Sequence, residues 1–225
     1  SVALLILIAF FSFLIYKSSY RKKVEVLKII KKADNKEIDK LNQLYNALSQ
    51  INHSIVKIKN EDELFDTICR ITVEFGSLKM AWIGVESEDD SRIIPVASAG
   101  EGQEYLDEIK FSTSADVPEG KGLIGQAFRS NKVIVCNEFV HDPKTKQWHK
   151  GALPFNWQAS CAIPILRKGQ PYAVLNVYTT QRDYFNQQIM ALFDELSRDV
   201  CFALDSYDFE KARRIAEDNL KLSAK

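Results

Sequence analysis

Between Lys79 and Thr180 the chain reads as six short strand-like runs, and that succession limits the fold more than any other feature. The runs are KMAWIGVE (79–86), RIIPVASAG (92–100), EIKFSTS (108–114), KVIVCN (132–137), SCAIPILRKG (160–169) and PYAVLNVYTT (171–180). They are mostly linked as hairpins, and RKGQPY, with Gly169 at its centre, is a tight turn between the last two. Helical patterns stand on either side. Asn60 with Glu63 has the spacing of an N-cap and its partner, Leu64, Phe65, Ile68, Ile71, Val73 and Phe75 supply an apolar face, and Gly76 ends the segment. Asp183 is expected to open a last helix through Phe185, Ile189, Leu192, Leu196, Val200, Ala203 and Leu204, running on through the charged stretch to the chain end. Strands with helices before, between and after them predict an α+β domain with a six-stranded, largely antiparallel sheet.

The string PEGKGLIGQAF (118–128) holds Gly120, Gly122 and Gly125 in the spacing G-x-G-x-x-G. A dinucleotide loop needs a buried strand before the first glycine and a full helix after the last. Here STSADVP precedes it, and only QAFRSN separates Gly125 from the next strand-like run. A βαβ crossover needs at least about ten residues. The glycines are therefore read as turning the chain into a short helix whose Ile124, Ala127 and Phe128 face the core.

Residues 1–16 carry no charge, and Lys17, Arg21, Lys22 and Lys23 follow them. Sixteen helical residues reach roughly 24 Å, short of a bilayer core of about 30 Å. Because the chain starts at Ser1, the apolar run is expected to continue upstream as a transmembrane helix. The basic flank would put all that follows on the cytoplasmic side of an inner membrane. Residues 17–40 hold nine basic and four acidic side chains, whereas the whole chain balances at 30 of each. That balance gives no pull toward nucleic acid. Cys69, Cys136, Cys161 and Cys201 form no C-x-x-C pair and no metal cluster with histidine, which suits reduced thiols.

Residues 17–58 contain neither proline nor glycine. Within them Leu41, Leu44, Leu48, Ile51, Ile55 and Ile58 recur in steps of three and four. Such a stripe suits an amphipathic helix packed on its own domain, or the seam of a parallel homodimer leaving the membrane. The expectation here is the dimer.

Taken together, AWIGVESEDDSRIIPVASAGE, EGKGLIGQAFRSNKVIVCNEFVHDP and SCAIPILRKGQPYAVLNVYT resemble a GAF domain over about residues 41–205. The closest likeness is to the bacterial signalling type found upstream of PAS, diguanylate cyclase and cyclic-di-GMP phosphodiesterase domains. The resemblance implies a ligand pocket on one face of the sheet, capped near GKGLIG and by HDPKTKQWHKGALPF. It also implies dimerisation through the first and last helices, and a connector over 206–225 leading to an output domain. Candidate pocket residues are Trp82, Phe128, Cys136, Asn137, Glu138, Asp142, Trp148, Phe155, Trp157 and Cys161. Family ligands include cyclic nucleotides, bilins, haem and small metabolites. No Asn-Lys-x-Phe pattern for cyclic nucleotides is found, and no cysteine adjoins a histidine as covalent bilin attachment would require. Haem would need His149 or His141 as its axial ligand. One branch of the fold reduces free methionine sulfoxide with pocket cysteines, which would fall here to Cys136 and Cys161. Their strand-like settings point to structural thiols, no other catalytic set is present, and no enzymatic activity is expected.

Overall fold

The computed structural model describes residues 34–55, 57–58, 60–76 and 78–223, with isolated helical positions at 25, 28, 31 and 32. The expected membrane segment, 1–16, lies outside the described residues. Among the described residues no helix is long and apolar enough to cross a membrane. The chain divides into two compact units, Ser1–Asn42 and Gln43–Lys225, and the second holds the sheet.

Five strands build that sheet: β1 (Met80–Glu86), β2 (Ile93–Gly100), β3 (Ile134–Cys136), β4 (Ala159–Arg167) and β5 (Gln170–Thr179). Their order is β2-β1-β5-β4-β3, and every neighbouring pair is antiparallel. The sixth strand expected over 108–114 is a single bridge, Arg92 to Ser112. A helical turn, α3 (Tyr105–Glu108), takes the first of its residues. Beyond the bridge the backbone turns elsewhere, with Ser112 N–H donating to Glu119 O at 3.4 Å. The β4–β5 turn follows expectation: Lys168 and Gly169 have φ of 53° and 73°, the left-handed pair that a two-residue hairpin needs.

Strand alternation sends the two faces to different covers. Ala81, Ile83, Cys161, Ile163, Leu175 and Val177 are fully buried toward the helices α2 (Glu61–Gly76) and α6 (Gln187–Ser223). The residues between them face the short helix α4 (Leu123–Ser130) and the loops around it. Helix α2 starts as read, with Asn60 Oδ1 accepting from Glu63 N–H at 2.8 Å and Asn60 Nδ2 donating to Glu63 at 3.0 Å. Helix α6 starts later than expected. Asp183 sits at φ 52°, and Asn186 Oδ1 accepts from Ile189 N–H at 3.0 Å, so Asn186 is the cap. From Phe209 to Lys221 every side chain of α6 is exposed.

The helix α1 (34–55) corrects the expected dimer seam. Leu44, Leu48, Ile51 and Ile58 are each less than a tenth exposed within one chain. Leu44, Leu48 and Ile51 border a small void shared with Thr72 of α2 and Leu192, Phe193 and Leu196 of α6. Ile55 is half-buried, and Leu41 belongs to the smaller unit. A period of three and four specifies an apolar stripe, not its partner, and here the nearest apolar surface is α6 of the same chain.

Candidate functional site

The three glycines at 120, 122 and 125 serve close approach. Their φ values are not left-handed, but a Cβ on Gly122 would lie 2.1 Å from the Trp148 ring, and one on Gly120 would lie 1.7 Å from Ser114 O. Gly122 thus seats Trp148 on the start of α4, whose Leu123, Ile124, Ala127 and Phe128 are buried. The residues after β3 form the opposite wall as a chain of short helical turns: Pro143–Trp148, α5 (His149–Ala152) and Leu153–Phe155.

Between these caps and the sheet lies a cluster rich in rings. Trp157 stacks on Tyr178 at 4.2 Å and on Phe155 at 4.8 Å, and Tyr105 meets Trp157 edge-on at 5.2 Å. Trp82 packs on Phe111 at 4.8 Å, and Phe111 stacks on Trp148 at 6.0 Å. At the centre is a void of about 10 Å³ lined by Phe111, Leu123, Ile124, Phe139, Trp148, Ser160, Asn176 and Tyr178. That is on the order of the space one water requires.

Six of the ten candidate residues join this cluster: Trp82, Phe128, Cys136, Trp148, Phe155 and Trp157. The others do different work. Cys161 pairs with Val135 and Val177, one position out of phase with Cys136, and so faces the helices. Its thiol is pushed well up by burial, with the Asp194 carboxylate adding to the rise. Asn137 clamps the backbone of Phe185 through two bonds of 3.0 Å. Glu138 is exposed. Asp142 accepts from Lys144 N–H at 2.8 Å, capping the turn, and its other oxygen is 3.6 Å from Cys136 Sγ. Burial pushes the Cys136 thiol up to about 11, opposed by a backbone N–H at Glu138 and reinforced by Asp142. Cys136 and Cys161 project from opposite faces, so no disulfide can join them without refolding the sheet.

Ser160, Asn176, Tyr178, Phe111, Phe139, Leu123 and Tyr105 were not singled out in the sequence, and Ile124 was expected only to face the core. One signal was legible: PYAVLNVYTT carries a lone amide amid apolar residues, and its alternation puts Val174, Asn176 and Tyr178 on one face. Asn176 Nδ2 has no partner, nor do Trp82 Nε1, Tyr105 OH and Trp157 Nε1, although all four atoms are buried. Ser160 Oγ reaches Asn176 Oδ1 at 3.4 Å. Burial pushes the Tyr178 hydroxyl up to about 12, moderated by the polar groups of Tyr105, Trp82, Asn176 and Ser160 around it.

Among the described residues no group of histidine, cysteine and carboxylate side chains could hold a metal ion. His149 Nε2 lies 3.0 Å from Thr145 Oγ1, and His141 Nε2 lies 2.6 Å from Arg182. Neither histidine lines the void, and about 10 Å³ does not fit a haem.

An antiparallel sheet with helices on one face and an uncharged, aromatic, capped layer on the other defines the class as a layered α+β domain. The GAF domain model matches residues 59–205, and the chain belongs to that family. Among solved structures it is similar to free methionine-R-sulfoxide reductase from Neisseria meningitidis in complex with its substrate. The TM-score is 0.64 at 13% identity, covering 76% of this chain and 94% of that one. It is also similar to the GAF domain of a phosphoenolpyruvate-protein phosphotransferase from Coxiella burnetii, with a TM-score of 0.58 at 15% identity, covering 72% and 95%. A domain assigned to a two-component sensor histidine kinase of Sinorhizobium meliloti gives a TM-score of 0.52 at 14% identity, covering 70% and 99%. At these identities the likeness is one of fold. A comparison with curated proteins returns no match.

Proposed function

We propose that this chain is a sensory relay in signal transduction, in which the capped pocket and α6 are coupled through the β4–β5 hairpin. One observation carries the reading: the same two strands touch both. Ser160, Asn176 and Tyr178 line the void at one end of β4 and β5. At the other end, Arg167 donates to Asp208 of α6 at 2.7 and 3.0 Å and to Glu61 of α2 at 2.7 Å. Lys168 N–H donates to Asp205 at 2.6 Å, and Tyr172 donates to Glu61. A ligand that shifts the hairpin would be felt by α6 through these bonds. Beyond Asp208 the helix stands bare, and an unsupported helix of that length is marginal in water, which suits a segment that continues to or docks on something else.

On this reading the chain is anchored in the inner membrane through residues 1–16, faces the cytoplasm and signals to an output domain of the same protein. Resemblance alone points that output to cyclic-di-GMP metabolism. A second copy of the chain would pack on the faces that α1 and α6 leave open, where Tyr45, Phe202 and Phe209 are 60%, 75% and 69% exposed. Catalysis is assigned outside this domain. A thiol-dependent reductase would need a resolving partner for Cys136, and Cys161 is on the wrong face.

A second reading has its own observation: with a void of about 10 Å³, the domain is a ligand-free dimerisation spacer. Native mass spectrometry of the full chain separates the two. A dimer retaining a small molecule is expected for the sensor, and a dimer with no added mass for the spacer. A monomer that retains nothing overturns both.

A further inference from the structure

We infer that the pocket takes a small, uncharged molecule presenting a hydrogen-bond acceptor, and discriminates against anions, cations and purely apolar molecules of the same shape. This rests on reading the pocket as a sensory site. The void is bordered by Asn176, whose Nδ2 is unpartnered at 1% residue exposure. Trp82 stands directly across from Asn176 in the β1–β5 register, fully buried, with its Nε1–H unpartnered. Tyr105, 3% exposed, brings a hydroxyl with no partner inside hydrogen-bond distance up to the Tyr178 hydroxyl, the polar group around which Trp82, Asn176 and Ser160 also gather.

An indole N–H can only donate, and a buried donor left without an acceptor is costly. A ligand oxygen placed among these groups removes that cost. None of the side chains lining the void is ionised at neutral pH. The carboxylates close by do not line the void: Asp142 caps its own turn and meets the Cys136 thiol, and Glu138 is exposed. A charged ligand would be buried without a counter-ion, which proteins rarely permit. Phe111, Leu123, Ile124, Phe139 and Trp148 supply contact for a short apolar body. The void is too small for such a molecule as it stands, so entry must displace part of the wall. Trp148 is the wall residue whose backbone lies outside the sheet and whose ring rests in the Gly122 cradle.

The chain has three tryptophans, so ¹⁵N-labelled full chain in detergent gives three indole resonances, assignable by single Trp→Phe changes. The probes are four flat molecules of one shape: acetamide, acetate, acetamidinium and isobutene. The expected result is a saturable shift of the Trp82 indole with acetamide, with apparent affinity on the order of tenfold or more above each of the other three. Trp82→Phe and Asn176→Leu each remove an unpartnered donor. Trp82→Phe, read at the Trp148 and Trp157 indoles, should leave the Tm nearly unchanged, whereas Asn176→Leu also strips the Ser160 hydroxyl of its acceptor and should lower it slightly. Both should weaken acetamide several-fold. If acetate, acetamidinium or isobutene saturates the same resonance at equal concentration, the ligand class is wrong while the pocket reading stands. If both variants respond like the parent, the donors are irrelevant and the class is again wrong. A Trp82 indole already hydrogen-bonded to a trapped water and unmoved by acetamide overturns the class as well. If none of the four probes moves any of the three indoles, the pocket reading falls with it.

Discussion

The two faces of this sheet are made from the same strands, yet they differ in kind. The face under α2 and α6 presents mainly alanine, isoleucine, leucine, valine and a neutral thiol from its strands, and its polar side chains, Thr179 and Arg167 at the two ends, are hydrogen-bonded. The face under α4 presents Trp82, Asn176, Tyr178 and Ser160 beneath a lid of rings. Of the six buried side-chain atoms without a partner among the described residues, four lie in this second layer. A core that only had to be stable would have no use for them, because removing both partners of a buried polar contact is close to neutral. The contrast teaches that one face holds the fold and the other carries unsatisfied polar groups at some cost to it, a cost that the proposed binding role would repay.

The largest effect that would break this comparison is on the helix-covered face. Ile163→Ala removes three methyl or methylene carbons from a fully buried site and should cost about 2–5 kcal/mol, read as a lowered urea midpoint with unchanged slope. A loss under about 1 kcal/mol would mean that this face is no tighter than the other. Next comes the lid. Gly122→Ala places a methyl against the Trp148 ring and should cost roughly 1–3 kcal/mol. Unlike Ile163→Ala, it should also free Trp148, seen as a red-shifted and more quenchable tryptophan emission. Emission identical to the parent protein would show that the cap does not rest on this glycine.

How much of this was legible beforehand follows the same division. Strand positions, the Asn60 cap, the Lys168–Gly169 turn and the structural role of the glycine triplet depend on local chemistry, and local chemistry is written in the chain. Apart from the start of α6, set at Asn186 and not Asp183, the failures are questions of partner. The stripe on α1 names its own apolar residues but not the surface that buries them, so Leu44, Leu48 and Ile51 were given to a second chain. The run 108–114 has strand composition, but Ser112 finds Glu119 instead of a continuous ladder. Cys161 was placed in the pocket although Ser160 precedes it, and period-two alternation allows only one of the two there. Asn137 was expected in the pocket and is a clamp on Phe185, since an amide's partner 48 residues away leaves no local trace.

A smaller effect sharpens the boundary of the stable face. At the hairpin tip, hydrogen bonds from Arg167, helped by Lys168, hold the Asp208 carboxyl down at about 2. A carboxylate with a depressed folded pKa contributes stability that is present above its unfolded value, near 3.9, and lost as pH falls through 2. Asp208 is partly exposed, so solvent screening reduces the contribution to about 1–2 kcal/mol. Asp208→Asn should therefore be less stable than the parent chain at pH 6 and converge with it between pH 4 and 2. Parallel pH profiles for the two proteins would detach the hairpin from α6 and remove the proposed path.

The smallest expected effect is the most discriminating. Trp82→Phe lies in the middle of the sheet at a fully buried position, where Phe/Trp→Ala changes cost about 3–5 kcal/mol. Phenylalanine keeps much of the ring contact with Phe111 and removes only the outer part of the indole, including the unpartnered Nε1–H. The lost contact and the relieved donor oppose each other, and the net change should stay within about 1 kcal/mol of zero. On the opposite face no such compensation exists, because the buried side chains that its strands present carry no unsatisfied polar atom whose removal would offset a cavity. A loss of several kcal/mol in Trp82→Phe would mean that the indole N–H is already satisfied in the folded protein. The two faces would then differ in composition but not in purpose.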